Sequence, residues 1–172
     1  MSEVALVIRS AIWKQLLLIC FFTIAFGQHL QSRELRADPN AVFPVEDIKI
    51  ETPAGLFAFT VEIADDDQER SRGLMERETM LATHGMLFDF GDPRPVQMWM
   101  ANTPMSLDMV FVRPDGIVAR VEERTTPFSR KIIPSGSPVS HVLELRAGLA
   151  RQIGLGEGSR LIHERFGLEE KP

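Results

Sequence analysis

The stretch "LDMVFVRPDGIVARVEE", residues 107–123, consists of two short, largely apolar segments joined by a turn signal. Successive side chains of a β-strand point to opposite faces of a sheet, and both segments are compatible with that period of two. The sequence "RPDG" at 113–116 places Pro and Gly at the second and fourth positions, where a type I turn prefers them. The stretch therefore predicts a β-hairpin.

The same period recurs on both sides of the hairpin. It is found in the segments "EDIKIET", "GLFAFTVEI", "GMLFDF", "VQMWMA", "SHVLELR" and "RLIHERF". Residues 64–77, where aspartates precede good helix formers, and residues 146–154, which Gly154 ends, predict short helices instead. About eight short strands with two short helices predict a mainly-β fold, either a compact β-sandwich or a partly open barrel.

A length of 172 residues predicts one domain. At the N-terminus, Arg9 and Lys14 precede an apolar run at 16–27, which is shorter than the roughly 20 residues that span a bilayer. Ala25 and Gly27 are small residues at positions −3 and −1 of a signal-peptide cleavage site. We therefore expect a signal peptide at 1–27, a linker at 28–44, a single mainly-β domain at 45–166 and a C-terminal tail at 167–172.

These features predict an exported protein, periplasmic or secreted, that meets the membrane only transiently through its signal peptide. The one cysteine, Cys20, lies within the apolar run, so the mature chain is expected to have neither a disulfide nor a thiol nucleophile. The formal net charge of −5 provides no electrostatic attraction to nucleic acid, which we do not expect as a partner.

Two carboxylates stand within apolar strand segments, Asp108 in "LDMVFV" and Glu144 in "SHVLELR". Burying a carboxylate without a partner is costly, so each must be paired, hydrogen-bonded or functional. Three arginines on or just after the first predicted helix are candidate partners: Arg70, Arg72 and Arg77. One interpretation is a structural network of arginines and carboxylates that joins this helix to the sheet.

A second interpretation is a ligand-binding polar cleft. Its predicted members are Arg70, Trp99, Asn102, Thr103, Asp108 and Glu144. The aromatic ring would offer a stacking platform, and the polar side chains would hydrogen-bond a polar ligand. We expect a non-enzymatic ligand-binding or accessory module of the cell envelope, without a cofactor, whose partner is an envelope ligand or protein of unknown identity.

Two alternatives remain open. Asp108 and Glu144 are candidate catalytic residues of a hydrolase acting on an envelope polymer, which requires the two carboxyl groups to lie about 5–10 Å apart across a groove. Met98 and Met100 are candidate ligands of a copper binder, because thioether sulfur suits Cu(I). For the two methionines we favour core packing, and hence no metal, because Met commonly fills gaps in apolar cores.

Several segments also match a known family in order. They are "ERSRGLMER", "GMLFDF", "WMANTPMSLDMVFV", "DGIVARV", "PSGSPVSHVLELRAG" and "GEGSRL". Through them the chain, from about residue 48 to 162, resembles the domain of unknown function 192 family of bacterial and archaeal proteins, many of them exported. The resemblance implies a compact mainly-β fold and brings no established activity. The family pattern includes Met100 more firmly than Met98, and it includes the predicted cleft residues Arg70, Trp99, Asn102, Thr103, Asp108 and Glu144.

Overall fold

The computed structural model describes residues 43–168. The predicted signal peptide at 1–27, nearly all of the predicted linker at 28–44 and the end of the predicted tail lie outside the described residues.

Within the described part of the chain, seven strands form one sheet in the order β5-β4-β6-β3-β2-β1-β7. The strands are β1 (Val45–Thr52), β2 (Gly55–Ala64), β3 (His84–Met98), β4 (Leu107–Val112), β5 (Val118–Glu122), β6 (Ile133–Arg146) and β7 (Arg160–Ile162). The helices are α1 (Asp67–Arg72), α2 (Leu149–Gln152) and a 3-10 helix (Glu164–Phe166). Neighbouring strands are antiparallel except for β2 and β3. The sheet curls into a half-barrel, which confirms the predicted mainly-β fold.

The predicted hairpin is confirmed as β4 and β5. The N–H of Gly116 donates to the carbonyl of Arg113 at 3.0 Å and so closes the turn, and Gly116 adopts a left-handed φ of +77°. Since β4 lies between β5 and β6, all 6 of its residues are buried.

Two strands differ from their predictions. Only Arg160–Ile162 of the predicted strand "RLIHERF" forms a strand, β7, and its last three residues form the 3-10 helix. The sequence predicts separate strands for "GMLFDF" and "VQMWMA", whereas the structure joins all of the first and the first half of the second in the 15-residue β3. The pairing of β3 with β6 is irregular between Asp89 and Arg94, where Gly91 adopts a left-handed φ of +69°. The turn-forming residues of "GDPRP" therefore bend the strand as a β-bulge does, and they do not end it.

Helix α1 begins where the aspartates predict a helix N-terminus. The Asp66 side chain accepts a hydrogen bond from the N–H of Glu69 at 2.7 Å, and the Glu69 side chain accepts one from the N–H of Asp66, which forms a capping box. Gly73 ends the helix, as predicted. Among residues 43–168, no helix is long and apolar enough to cross a membrane.

The sheet carries an apolar cluster on each face, because adjacent residues of a strand point in opposite directions. The first cluster includes Val110 and Leu143 and is covered by α2 and the 3-10 helix. The second cluster includes Met109 and Phe111. Since β2 and β3 are parallel, the chain must cross over between them, and this crossover contains α1 and buries Leu74 in the second cluster.

The two edge strands of the sheet meet at one corner. Ile117, just before β5, forms an isolated antiparallel bridge with Arg160 of β7. The N–H of Leu161 donates to the carbonyl of Gly116 at 2.8 Å. The curled sheet is therefore closed at this corner.

Candidate ligand-binding pocket

A pocket of about 280 Å³ opens at the second apolar cluster. Its walls come from α1 and the segment after it, from β3 and the loop after it, and from one residue of β6. The large apolar side chains that line it are Leu74, Met75, Phe88, Phe90, Met98 and Trp99. The ionisable side chains that line it are Asp67, Arg70, Arg72, Arg94 and Glu144. The pocket thus combines apolar walls with a small number of charged groups.

Arg70 holds α1 against β3. Its guanidinium donates to the backbone carbonyls of Asp65 and of Asp89, the latter at 2.6 Å, and it pairs with Asp67 at 2.6 Å. It also lies over the ring of Phe90, 5.8 Å from the centroid, where a cation–π contact is favourable. Arg70 therefore fixes one wall of the pocket.

Gly73 allows the end of α1 to approach the sheet closely. A Cβ atom at this position would lie 3.0 Å from the ring of Phe88, and the φ of Gly73 is +48°. Both conditions favour glycine, because a side chain here would be strained and would press on the pocket wall.

Asn102 connects two walls of the pocket without lining it. Glu76 and Asn102 both adopt left-handed backbone angles, with φ of 66° and 57°. The N–H of Glu76 donates to the carbonyl of Asn102 at 2.8 Å, and the Asn102 amide lies 3.8 Å from the sulfur of Met75. Asn tolerates this conformation better than most residues, so Asn102 acts on the shape of the loop.

Glu144 is the most unusual group of the pocket. Its side chain lines the pocket and is only 4% exposed, and its cross-strand neighbours Met86 and Met109 are fully buried. Within residues 43–168 its carboxyl group has neither a hydrogen-bond partner nor an ion-pair partner. Burial alone raises the pKa of Glu144 to about 8. At neutral pH this group is therefore mostly protonated.

Asp108 lies on the other face of the sheet. It is fully buried, with Oδ1 accepting from the N–H of Arg124 at 2.8 Å and Oδ2 from the N–H of Ala150 at 2.9 Å. Its cross-strand partner is Leu145, the neighbour of Glu144, and adjacent residues point to opposite faces. The structure therefore does not bring Asp108 and Glu144 into one cleft. Asp108 instead satisfies donors at the start of α2 and after β5.

The predicted cleft residues thus divide into two groups. Arg70, Trp99, Thr103 and Glu144 line the pocket, whereas Asn102 and Asp108 do not. Thr103 is buried. Trp99 is 46% exposed, so its aromatic ring lies at the mouth of the pocket.

The three arginines predicted as partners of the carboxylates take other positions. Arg77 pairs with Glu62 of β2 through both of its terminal nitrogens. Arg70 binds backbone carbonyls and Asp67, as described above. The exposed Arg72 makes no side-chain hydrogen bond or ion pair within the described part of the chain. The predicted arginine–carboxylate network therefore does not involve Asp108 or Glu144.

Met98 and Met100 both lie in the second apolar cluster. Met100 is fully buried, and its sulfur accepts a hydrogen bond from the Thr125 hydroxyl at 3.1 Å. Both side chains therefore pack in the core, and Met98 also lines the pocket.

Residues 49–163 match the model of one family, the domain of unknown function 192, described as "Uncharacterized ACR". The chain belongs to this family.

Two solved structures of similar proteins share the fold of this domain of unknown function 192 protein. One is from Sinorhizobium meliloti 1021, with a proposed role as a transcription regulator; it is 44% identical, the match covers 72% of this chain and 96% of that chain, and the TM-score is 0.70. The other, from Novosphingobium aromaticivorans DSM 12444 and of unknown function, is 28% identical, with coverage of 74% and 91% and a TM-score of 0.71. No curated protein matches the chain.

In this domain of unknown function 192 protein the pocket includes four residues of β3 that sequence reasoning missed. They are Phe88, Phe90, Arg94 and Gln97. The alternating pattern of "GMLFDF" could have identified the two phenylalanines, because alternate residues of a strand lie on the same face of a sheet. Arg94 follows turn-forming residues, and only the bend in β3 brings its guanidinium to 5.3 Å from the centroid of Phe90.

A separate network of ionisable side chains joins the 3-10 helix to β1 and β3. Arg165 donates to both carboxylate oxygens of Glu46, at 3.2 and 2.9 Å, and to Asp89 at 3.1 Å. Its hydrogen bonds lower the pKa of Glu46. Glu46, His163 and Glu164 lie close enough together to hold a metal ion. Arg165 already engages both oxygens of Glu46, however, so we assign the network a structural role.

Proposed function

We propose that this protein is a ligand-binding or accessory module of the cell envelope that holds a small molecule in the pocket between α1 and β3. One observation carries this proposal: the carboxyl group of Glu144, 4% exposed, lines the pocket without a partner in the described part of the chain. A buried carboxyl without a partner costs stability, and perturbed groups of this kind concentrate at functional sites.

The composition of the pocket supports the same proposal. Small-molecule sites are typically apolar clefts with a few placed polar groups, which is the lining described above. The volume of about 280 Å³ suits a small ligand. Trp99, at the mouth, is placed to cover part of such a ligand with its ring.

Two other functions lack this support. A hydrolase that uses Asp108 and Glu144 as acid and base would need both carboxyls in one groove, and they lie on opposite faces of the sheet. A role in transcription, as proposed for the Sinorhizobium meliloti relative, would be favoured by a basic DNA-binding surface, and the chain carries a net charge of −5.

Thermal-shift measurements test ligand binding. Envelope sugars, short peptides, small organic acids and amino acids are added separately to the purified protein, and at least one class is expected to raise its Tm. Trp99→Ala should reduce that shift, whereas Phe128→Ala should retain it, because Phe128 is 63% exposed and does not line the pocket. The absence of a shift with every class, or an undiminished shift in Trp99→Ala, would contradict the proposal.

Mass spectrometry of the mature N-terminus tests the envelope location. After expression in a Gram-negative host, the periplasmic protein is expected to begin at Gln28. Gly27→Arg, which places a large charged residue at the −1 position, should block cleavage. Recovery of the uncleaved chain from the cytoplasm would count against export.

A further inference from the structure

We propose that the ligand of this pocket is a small zwitterion resembling an amino acid, whose ammonium group pairs with Glu144 and whose carboxylate binds Arg72 and Arg94. This inference rests on the proposed function and specifies the class of ligand that the pocket takes.

Glu144 is the first element of the inference, because no positively charged side chain in the described part of the chain pairs with it. The strands on either side of it contribute Met86 and Met109. The other ionisable groups of the pocket are Asp67, Arg70, Arg72 and Arg94, and within residues 43–168 none of them forms an ion pair or a hydrogen bond with Glu144. An ammonium group in the pocket would supply both the missing charge and hydrogen-bond donors.

Arg72 and Arg94 are the second element, because both have donors to spare. A guanidinium carries five N–H donors. In the described part of the chain, Arg94 uses one nitrogen to donate to the carbonyl of Phe90 at 2.9 Å, and Arg72 uses none. Arg70 differs, because it already makes three hydrogen bonds, to two backbone carbonyls and to Asp67. Arg72 and Arg94 are therefore the cations available for a carboxylate.

The charge balance of the pocket favours a ligand that carries both signs. A ligand with only a positive charge would meet three arginines and a single aspartate, Asp67, which already pairs with Arg70. A ligand whose single charge is a carboxylate bound at the arginines would leave the protonated Glu144 without a partner. A zwitterion satisfies both sites, and the apolar walls formed by Phe88 and Met98 accommodate the carbon skeleton between them.

Isothermal titration calorimetry with matched probes tests the inference. Phenylalanine and 6-aminohexanoate present the two charges at different spacings on apolar skeletons. Their single-charge counterparts are 3-phenylpropanoate and hexanoate, which lack the amine, and phenethylamine and hexylamine, which lack the carboxylate. At least one zwitterion is expected to bind about tenfold or more tightly than its single-charge counterparts.

A proton readout identifies Glu144 as the group that pairs with the amine. Because burial raises the pKa of Glu144 to about 8, pairing with an ammonium group should release most of one proton at pH 7. The release is measured from titrations in buffers of different ionisation enthalpy. The affinity should also rise between pH 6 and pH 8, as Glu144 ionises more readily.

Variants separate the two ends of the ligand. Glu144→Gln should lose the proton release and about tenfold or more in affinity. The double variant Arg72→Gln/Arg94→Gln should bind the zwitterion no more tightly than the matching amine. Arg130→Gln serves as the control, because Arg130 is exposed and lies outside the pocket, and it should bind as the unaltered protein does.

The outcomes distinguish this inference from the proposed function. If the amine-free acids bind as tightly as the zwitterions, or if binding releases no proton, the zwitterion inference is wrong while the pocket remains a ligand site. If none of these probes binds but another class shifts the Tm through Trp99, the inference fails and the proposed function stands. If no compound binds in either experiment, both fail.

Discussion

At the scale of single residues, Glu144 makes the stability of the fold depend on pH. Burial raises its pKa from 4.5 to about 8, so the folded protein holds this proton more tightly than the unfolded chain does. The stability associated with the proton is complete below pH 4.5 and is lost as the pH rises through 8. The full rise in pKa corresponds to at most about 5 kcal/mol.

Glu144→Gln is therefore expected to stabilise the protein at alkaline pH. The amide stays neutral at every pH, so at pH 9 the variant should be about 2–4 kcal/mol more stable than the unaltered protein, with little difference at pH 4. Urea unfolding at pH 4, 7 and 9 measures this. Glu78→Gln is the control, because Glu78 is exposed and should show no such trend. If the free energies of unfolding of the Glu144 variant and of the unaltered protein changed in parallel with pH, burial would not raise the pKa of Glu144 as stated.

Asp108 has the opposite energetic role, because both of its oxygens accept hydrogen bonds from backbone N–H groups. In Asp108→Asn, an amide NH2 group takes the place of one carboxylate oxygen. That group then faces a backbone N–H, so two donors face each other. We expect a loss of about 2–4 kcal/mol in the free energy of unfolding, since a buried donor is left unpaired. Chemical denaturation measures it against Asp92→Asn, an exposed position where the change should be within about 0.5 kcal/mol. A loss below 1 kcal/mol at Asp108 would contradict the assigned role.

The sequence could identify both carboxylates but could not assign them. The same pattern, a carboxylate within an apolar strand, selects Asp108 and Glu144. Their different roles depend on what each face of the sheet meets: α2 on one side and a pocket on the other. Those contacts join residues far apart in the chain, such as Asp108 and Ala150, and no local pattern contains them.

At the scale of secondary-structure elements, the turn between β4 and β5 requires glycine for two reasons. Gly116 has a left-handed φ, and a Cβ atom there would lie 2.5 Å from the carbonyl oxygen of Leu161. Gly91 has a similar φ of +69° but has open space around it. Comparing substitutions at the two positions therefore separates the cost of backbone strain from the cost of the steric contact.

Gly116→Ala should cost about 3 kcal/mol or more, whereas Gly91→Ala should cost only the backbone strain of about 1–2 kcal/mol. Denaturant midpoints of the two variants provide the comparison. Equal losses would mean that the contact with Leu161 contributes nothing.

Local chemistry explains which elements the sequence predicts well. "RPDG" predicts the hairpin and the aspartates at 65–67 predict the start of α1, because turns and caps depend on neighbouring residues. The continuity of β3 through Gly91 could not be predicted, because pairing with β6 overrides the turn-forming residues there. The pocket depends on that bend and on the packing of α1, so only part of its lining could be identified from the sequence.

At the scale of the whole molecule, Arg165 connects the C-terminal end of the domain to its first and third strands. Arg165→Gln should destabilise the domain by about 1–3 kcal/mol at pH 7, because it removes charge-assisted hydrogen bonds to Glu46 and Asp89. Hydrogen bonds from Arg165 lower the pKa of Glu46. Burial raises the pKa of Asp89, but bonds from Gly91 and Arg165 and the charge of His141 more than offset this, so its pKa is also low.

The direction of these pKa changes determines how the contribution of Arg165 to stability depends on pH. Carboxylates with lowered pKa values stabilise the fold above their usual pKa and lose that contribution as the pH falls through the lowered values. The difference between Arg165→Gln and the unaltered protein should therefore shrink below about pH 4. Thermal unfolding from pH 3 to pH 7 measures it, with Arg146→Gln, an exposed position, as the control. A difference that stays constant down to pH 3 would show that packing, not charge, accounts for the loss.

The position of β1 between β2 and β7 also affects how the chain is assembled during synthesis. A ribosome completes β1 roughly a hundred residues before β7. Until β7 is made, one edge of β1 therefore has unpaired N–H and C=O groups. The last strand is short, yet it pairs with residues 49–51 on that edge and closes the corner with Gly116. A chain that stops before residue 160 would retain most of the sheet but would present an open edge to other nascent chains.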